Sequence, residues 1–164
     1  MADIESVDTS SHESLQTVTE MLETIGYVYQ RPKPNVINCH VQGSGDVLEF
    51  MWKWDQELTI LYMTCTFDLA VPPERIAEAY KLICLVNAQL SVGHLNFYAR
   101  EGIVAMHAAL PVCDGTVDIN QCSFIYGSAM HMHDCYGTVF KMFGQGKSAD
   151  EAMQYVFEVT QGSA

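Results

Sequence analysis

Hydrophobic positions along the chain recur first at helical spacing, then at every second residue, then at helical spacing again. Leu15, Val18, Leu22 and Ile25 lie three or four apart and stop at Gly26, which predicts a first helix. Ser10 with Glu13 three residues on fits a capping box at its start. Pro32 and Pro34 then break the chain. Beyond them Ile37, Cys39 and Val41 alternate with Asn38 and His40. Leu48, Phe50, Trp52 and Trp54 alternate with Glu49 and Lys53, and Leu61, Met63, Cys65 and Phe67 mark the inward face of a third strand. The connections Gly43-Ser44-Gly45-Asp46 and Asp55-Gln56-Glu57 are short, so the three strands form an antiparallel meander.

Val71-Pro72-Pro73-Glu74-Arg75 opens a second helix, since proline is tolerated in a first helical turn, and that helix ends near Leu90. Ile76, Tyr80, Ile83, Asn87 and Leu90 share the face expected to point inward. Leu85 falls on the far side, among Arg75, Glu78 and Lys81, and Leu82 on the flank toward it. A helix apolar on two sides has two things to bury against, which makes Leu82 and Leu85 candidates for a dimer interface, although single exposed leucines are common. Residues 91–99 and 103–110 read as two strands joined by a turn at Arg100-Glu101-Gly102. Asp118 is a plausible N-cap for a long helix whose apolar side carries Cys122, Ile125, Ala129, Met132, Tyr136, Val139 and Phe143, with Gly127 and Gly137 as points of weakness or kinking. Gly144-Gln145-Gly146 ends it. Ser148 and Glu151 form another capping box, opening a last helix with Ala152, Met153, Val156, Phe157 and Val159 inward. The expectation is an α+β domain over residues 11–162, with a sheet of about five strands in the order α-β-β-β-α-β-β-α-α, preceded by a short disordered acidic lead at residues 1–10.

A chain of 164 residues buries about 70% of its unfolded surface and needs neither disulfide nor metal to hold a core. Its formal charge is −12, with only eight Lys and Arg and none before Arg31. No basic stripe exists to neutralise phosphates, which argues against nucleic acid and anionic membranes as partners. A basic protein surface is the better electrostatic match, though such a charge also simply keeps a protein soluble. No apolar run approaches the ~20 residues of a membrane helix. Met1-Ala2-Asp3-Ile4-Glu5 lacks the basic and apolar regions of a signal peptide. Six scattered cysteines without a C-x-x-C pair read as free thiols in a reducing cytoplasm. A soluble cytoplasmic protein is expected.

Candidate chemistry is sparse. Gly144-Gln145-Gly146-Lys147-Ser148 ends like a P-loop, but the pattern needs glycine where Lys141 stands and a strand where a helix is predicted. His131 and Cys135 project from one helical face with Asp134 close by, the edge of a zinc site that still lacks the third and fourth ligands. They remain the alternative reading, a metal or small-ligand sensor, alongside the exposed sheet face. Cys65 and Cys84 fall in apolar settings that raise a thiol pKa. His94 and His107, with Asn96 and Tyr98, fall on the polar face of the second pair of strands. No acid–base–nucleophile set is visible, no cofactor is implied, and no enzyme is expected. Trp54, beside the turn at Asp55, offers an aromatic anchor to a partner peptide, while its alternation with Trp52 also fits a core strand.

Two stretches carry a family resemblance. The second helix closes with Leu85-Val86-Asn87-Ala88-Gln89-Leu90 and runs directly into Val92-Gly93-His94-Leu95. The long helix closes with Phe143-Gly144-Gln145-Gly146-Lys147-Ser148-Ala149-Asp150-Glu151-Ala152. With the order of elements, these resemble the bacterial YbjN family, whose fold is that of type III secretion chaperones. The resemblance covers roughly residues 12–162. Phe143 stands where the family often has Trp, one large aromatic for another, and His131-Met132-His133-Asp134-Cys135 matches no family motif. The resemblance implies a non-enzymatic homodimer, chaperone-like or regulatory, that binds another polypeptide. It supplies no catalytic residues.

Overall fold

The computed structural model describes residues 9–69, 71–113 and 116–161, with side chains from 15 to 156. Helix α1 (Thr9–Ile25) leads into β1 (Tyr29–Lys33), β2 (Val36–Gln42), β3 (Val47–Asp55) and β4 (Ile60–Asp68). A short 3-10 turn precedes α2 (Ile76–Asn87). The hairpin β5 (His94–Tyr98) and β6 (Ile103–Pro111) follows, then α3 (Ile119–Gly144) and α4 (Ala149–Gln161). Helix α1 begins two residues inside the predicted lead. The rest of that lead, and the side chains of Ser10, Glu13, Phe157 and Val159, lie outside the described residues.

The sheet has six strands in the order β1-β2-β3-β4-β6-β5, all antiparallel, one more than expected. The extra strand, β1, contains Pro32, and its register with β2 shifts between Gln30 and Lys33. Proline cannot donate to a ladder, but an edge strand has a side where no donor is needed. The prolines therefore roughen a strand instead of preventing it. After β4 the chain leaves through α2, lays β5 at the far edge, and inserts β6 between β5 and β4.

One face of the sheet is filled. Phe50, Trp52, Leu61, Met63, Leu95 and Met106 are buried against Leu15, Val18 and Leu22 of α1 and the apolar stripe of α3. Every strand residue in this cluster comes from the inward set of the alternation. The long-helix stripe from Cys122 to Phe143 is buried throughout, and Asp118 caps α3 by accepting from the Asn120 amide at 2.6 Å. Neither Gly127 nor Gly137 interrupts the helix. A Cβ on Gly137 would sit 3.2 Å from His133 Nε2, so this glycine makes room for a buried imidazole.

Helix α2 buries Ala79, Leu82, Ile83 and Val86, a stripe rotated from the predicted one. Tyr80 is exposed at its rim, its ring 5.4 Å from Phe97. The second apolar side is real, but its cover comes from the same chain. Helix α4 lies along it, tied by Glu78, which accepts from the Ala149 amide at 2.9 Å, and by the Lys81–Asp150 ion pair. Ser148 and Glu151 form the predicted capping box. Arg75 holds the α3 end by donating to the Phe143 and Lys147 carbonyls, with its guanidinium 4.0 Å over the Phe143 ring. A cation at a helix C-terminus also suits the dipole there. Gly146, at φ 106°, makes the reversal between two helices, so the Gly-Lys-Ser stretch is a joint and not a phosphate loop.

Candidate interaction surface

Among the described residues, the other face of the sheet carries no helix. Outward residues from all six strands align in rows across it. One row runs Gln30, Asn38, Met51, Thr64, His107 and His94, and the next runs Lys33, Val36, Lys53, Tyr62 and Ala109. These rows follow from register, which pairs strands distant in sequence, and could not be read from any one segment.

The His94–His107 end is the more structured. The two residues are direct cross-strand partners, their rings 5.5 Å apart and 28° from parallel. Tyr98 Oη lies 3.0 Å from His107 Nε2, and Thr64 Oγ1 lies 3.3 Å from His107 Nδ1. Both nitrogens of His107 are thus engaged, and burial, then the neighbouring His94, holds its pKa below the usual histidine value. A groove of about 520 Å³ beside the pair is lined by Tyr62, Val92, His94, Asn96 and Ala109. Gly93, at φ 70°, brings the backbone so close that a Cβ would meet the His107 carbonyl oxygen at 2.6 Å. The adjoining sheet edge is partly closed. Asn87 of α2 donates from its amide to the Leu95 carbonyl at 2.9 Å and accepts from the Leu95 amide at 2.7 Å, filling the two groups that a further strand would use there.

The predicted interface residues are not on this surface. Leu82 is fully buried under α4. Leu85 is half-buried beside Asp150 and Met153, in the crease between α2 and α4. Trp54 points inward with 3% of its surface exposed, its backbone tied to Asn35, so it packs in the core and offers no anchor. Leu82 and Leu85 lie one turn apart on α2, and Trp54, on β3, is a residue of a different element.

His131 and Cys135 do meet, with Sγ 3.5 Å from Nε2. Among the described residues no group of three His, Cys, Asp or Glu side chains is placed to hold a metal. Burial, then Asp134, raises the Cys135 pKa, which disfavours thiolate. Burial, then Cys39, pushes the Cys65 thiol up to about 12, as its apolar setting predicts, whereas Cys84 is exposed because it faces away from the α2 stripe. The cluster that sequence reasoning missed lies at the strand ends. Asp46, in the β2–β3 turn, places Oδ2 3.1 Å from Lys141 Nζ and 3.4 Å from His133 Nε2. Burial raises the Asp46 carboxyl, but the contacts from Lys141 and His133 outweigh it and hold the pKa below the ordinary carboxylate value. Gly43 and Gly45 leave the space these side chains occupy. This is a latch from the hairpin turn to α3.

The family model described as "Putative bacterial sensory transduction regulator", YbjN, matches residues 14–142. The chain belongs to the YbjN family. Among solved structures, YbjN from E. coli, described as a putative transcription regulator, superposes with a TM-score of 0.53 at 11% identity, over 73% of this chain and 84% of that one. A chain of the HopA1–SchA chaperone–effector complex superposes with a TM-score of 0.51 at 12% identity, over 79% of this chain and 97% of that one. At such identities the likeness shows the YbjN and type III chaperone fold alone. No curated protein matches the sequence. No described helix is long and apolar enough to cross a membrane.

Proposed function

We propose that this YbjN-family protein is a non-enzymatic, chaperone-like regulator that binds another polypeptide in the cytoplasm and works as a homodimer. The observation that carries the reading is the bare face of a six-stranded sheet whose other face holds every described helix, in a fold shared with a chain of a chaperone–effector complex. That face mixes hydrogen-bonding, aromatic and thioether groups (Asn38, Tyr62, Met51, His107), a composition suited to a polypeptide. With Leu82 enclosed by α4, a dimer interface has to use another surface.

The test is affinity capture from the native cells with mild crosslinking, joined to light scattering of the purified protein. One polypeptide at fixed stoichiometry and a mass of two chains support the proposal. Self-association alone removes the client, and a monomer removes the dimer.

A further inference from the structure

Within the bare face the cationic side chains are not spread evenly. Lys33 on β1 and Lys53 on β3 stand in one cross-strand row with only Val36 between them. Both are exposed, and neither makes an ion pair among the described residues, whereas Lys81 and Lys141 are each paired to a carboxylate. Between them lies a groove of about 370 Å³ that they share with Val36, Asn38 and Met51. Arg31, two residues before Lys33, does not line this groove; its guanidinium is held by two hydrogen bonds to the Pro34 carbonyl at 3.1 and 2.9 Å. The row of Lys33 and Lys53 contains no carboxylate across the sheet, nor does the row of Asn38 and Met51 on one side of it; the row on the other side holds Asp55, whose Oδ1 accepts from the Leu58 amide at 3.1 Å. Two of the eight cationic residues of a chain with net charge −12 therefore face one groove with no carboxylate in their own cross-strand row.

We infer that this corner docks an acidic segment of the partner polypeptide, a proposal that rests on the polypeptide-binding reading and gives it a chemistry. The body of the protein repels anions, but at physiological ionic strength that repulsion is screened beyond about 8 Å, so at contact the nearest charges decide. Strands two apart in a sheet are separated by about 10 Å, close to the ~9 Å from residue i to i+3 of a polyproline II segment, whose three-residue turn puts both side chains on one face. Carboxylates three residues apart would meet the two lysines while the intervening residues cross Val36 and Met51. A nucleic acid fits worse, because two cations on an acidic body release few counterions and leave most of a phosphate backbone unneutralised.

The experiment measures fluorescence anisotropy of a labelled peptide of repeated Glu-Ser-Ser against the full-length protein at low and physiological salt. A Lys-Ser-Ser peptide and an oligothymidylate of equal length serve as comparisons. The acidic peptide is expected to bind best and to weaken with salt. Lys33→Glu with Lys53→Glu should reduce its affinity about tenfold, the loss of two exposed charge attractions and their conversion to repulsions. Lys33→Arg with Lys53→Arg should retain binding, and circular dichroism should show both variants folded. No binding of the acidic peptide, equal binding by the charge-reversed protein, or tighter binding of the basic peptide or the oligonucleotide overturns the proposal. A native client captured equally well by the charge-reversed protein overturns it too, while leaving the polypeptide-binding reading intact.

Discussion

The two faces of the sheet are built from the same strands and obey opposite rules. On the inward face Phe50, Trp52, Leu61 and Met63 are sealed beneath α1 and α3, and what matters is volume. On the outward face Asn38, Met51, Thr64 and His107 stand in one row, and what matters is which groups lie side by side. One residue step along a strand moves a side chain from one regime to the other. A face that costs little to change is also a face free to be selected for recognition, which is why the interaction surface is sought there.

The sharpest way to break this contrast is to alter both faces and compare. Trp52→Ala should cost about 3–5 kcal/mol through the lost burial and the cavity left behind, whereas the outward Tyr62→Ala should cost under about 1 kcal/mol, both read by urea unfolding. Comparable losses would mean that the outward face is structural. Leu82→Glu, which would split a dimer if Leu82 lay at its interface, should instead destabilise the fold by about 3 kcal/mol or more by placing a charge beneath α4. A folded monomer from that variant would show that α4 leaves Leu82 free.

The latch at Asp46 sharpens the comparison at the strand ends. Its carboxyl pKa is lowered in the folded protein, so its contribution is present above the unfolded value near 3.9 and fades as pH falls through the folded value. The stability gap between the parent and Asp46→Asn should therefore shrink on acidification below about pH 4. Since Asp46 is partly exposed, that gap should not exceed about 1 kcal/mol at neutral pH. A gap independent of pH would mean that shape, and not charge, holds the turn. The smallest effect belongs to His107. Its folded pKa is depressed, so stability should fall slightly as pH drops below the unfolded value of about 6.5, and His107→Gln should abolish that slope. An unchanged slope would assign it to another histidine.

Much of this architecture was legible along the chain. The alternation of β2 to β4, the stripe of α3 and the caps at Asp118 and Ser148 are local patterns and are found where they were expected. β1 was hidden by Pro32, which blunts an edge strand without forbidding it. The two-sided apolarity of α2 was visible, but its cover, α4, lies some seventy residues on, and nothing local distinguishes a neighbour in the same chain from a second subunit. The candidate surface was least legible. Lys33 and Lys53, or His94 and His107, become neighbours only through register, and the Asn87 bridge to Leu95 depends on how α2 meets the sheet edge.

The most direct test of the central claim is photocrosslinking in the native cells from single positions on the two sides of the molecule. A photoreactive residue at Met51 or Tyr62, on the bare face, should form an adduct with another polypeptide, while one at exposed Tyr155 on α4 should not. Adducts from Tyr155 alone would place recognition on the helical side and contradict the account.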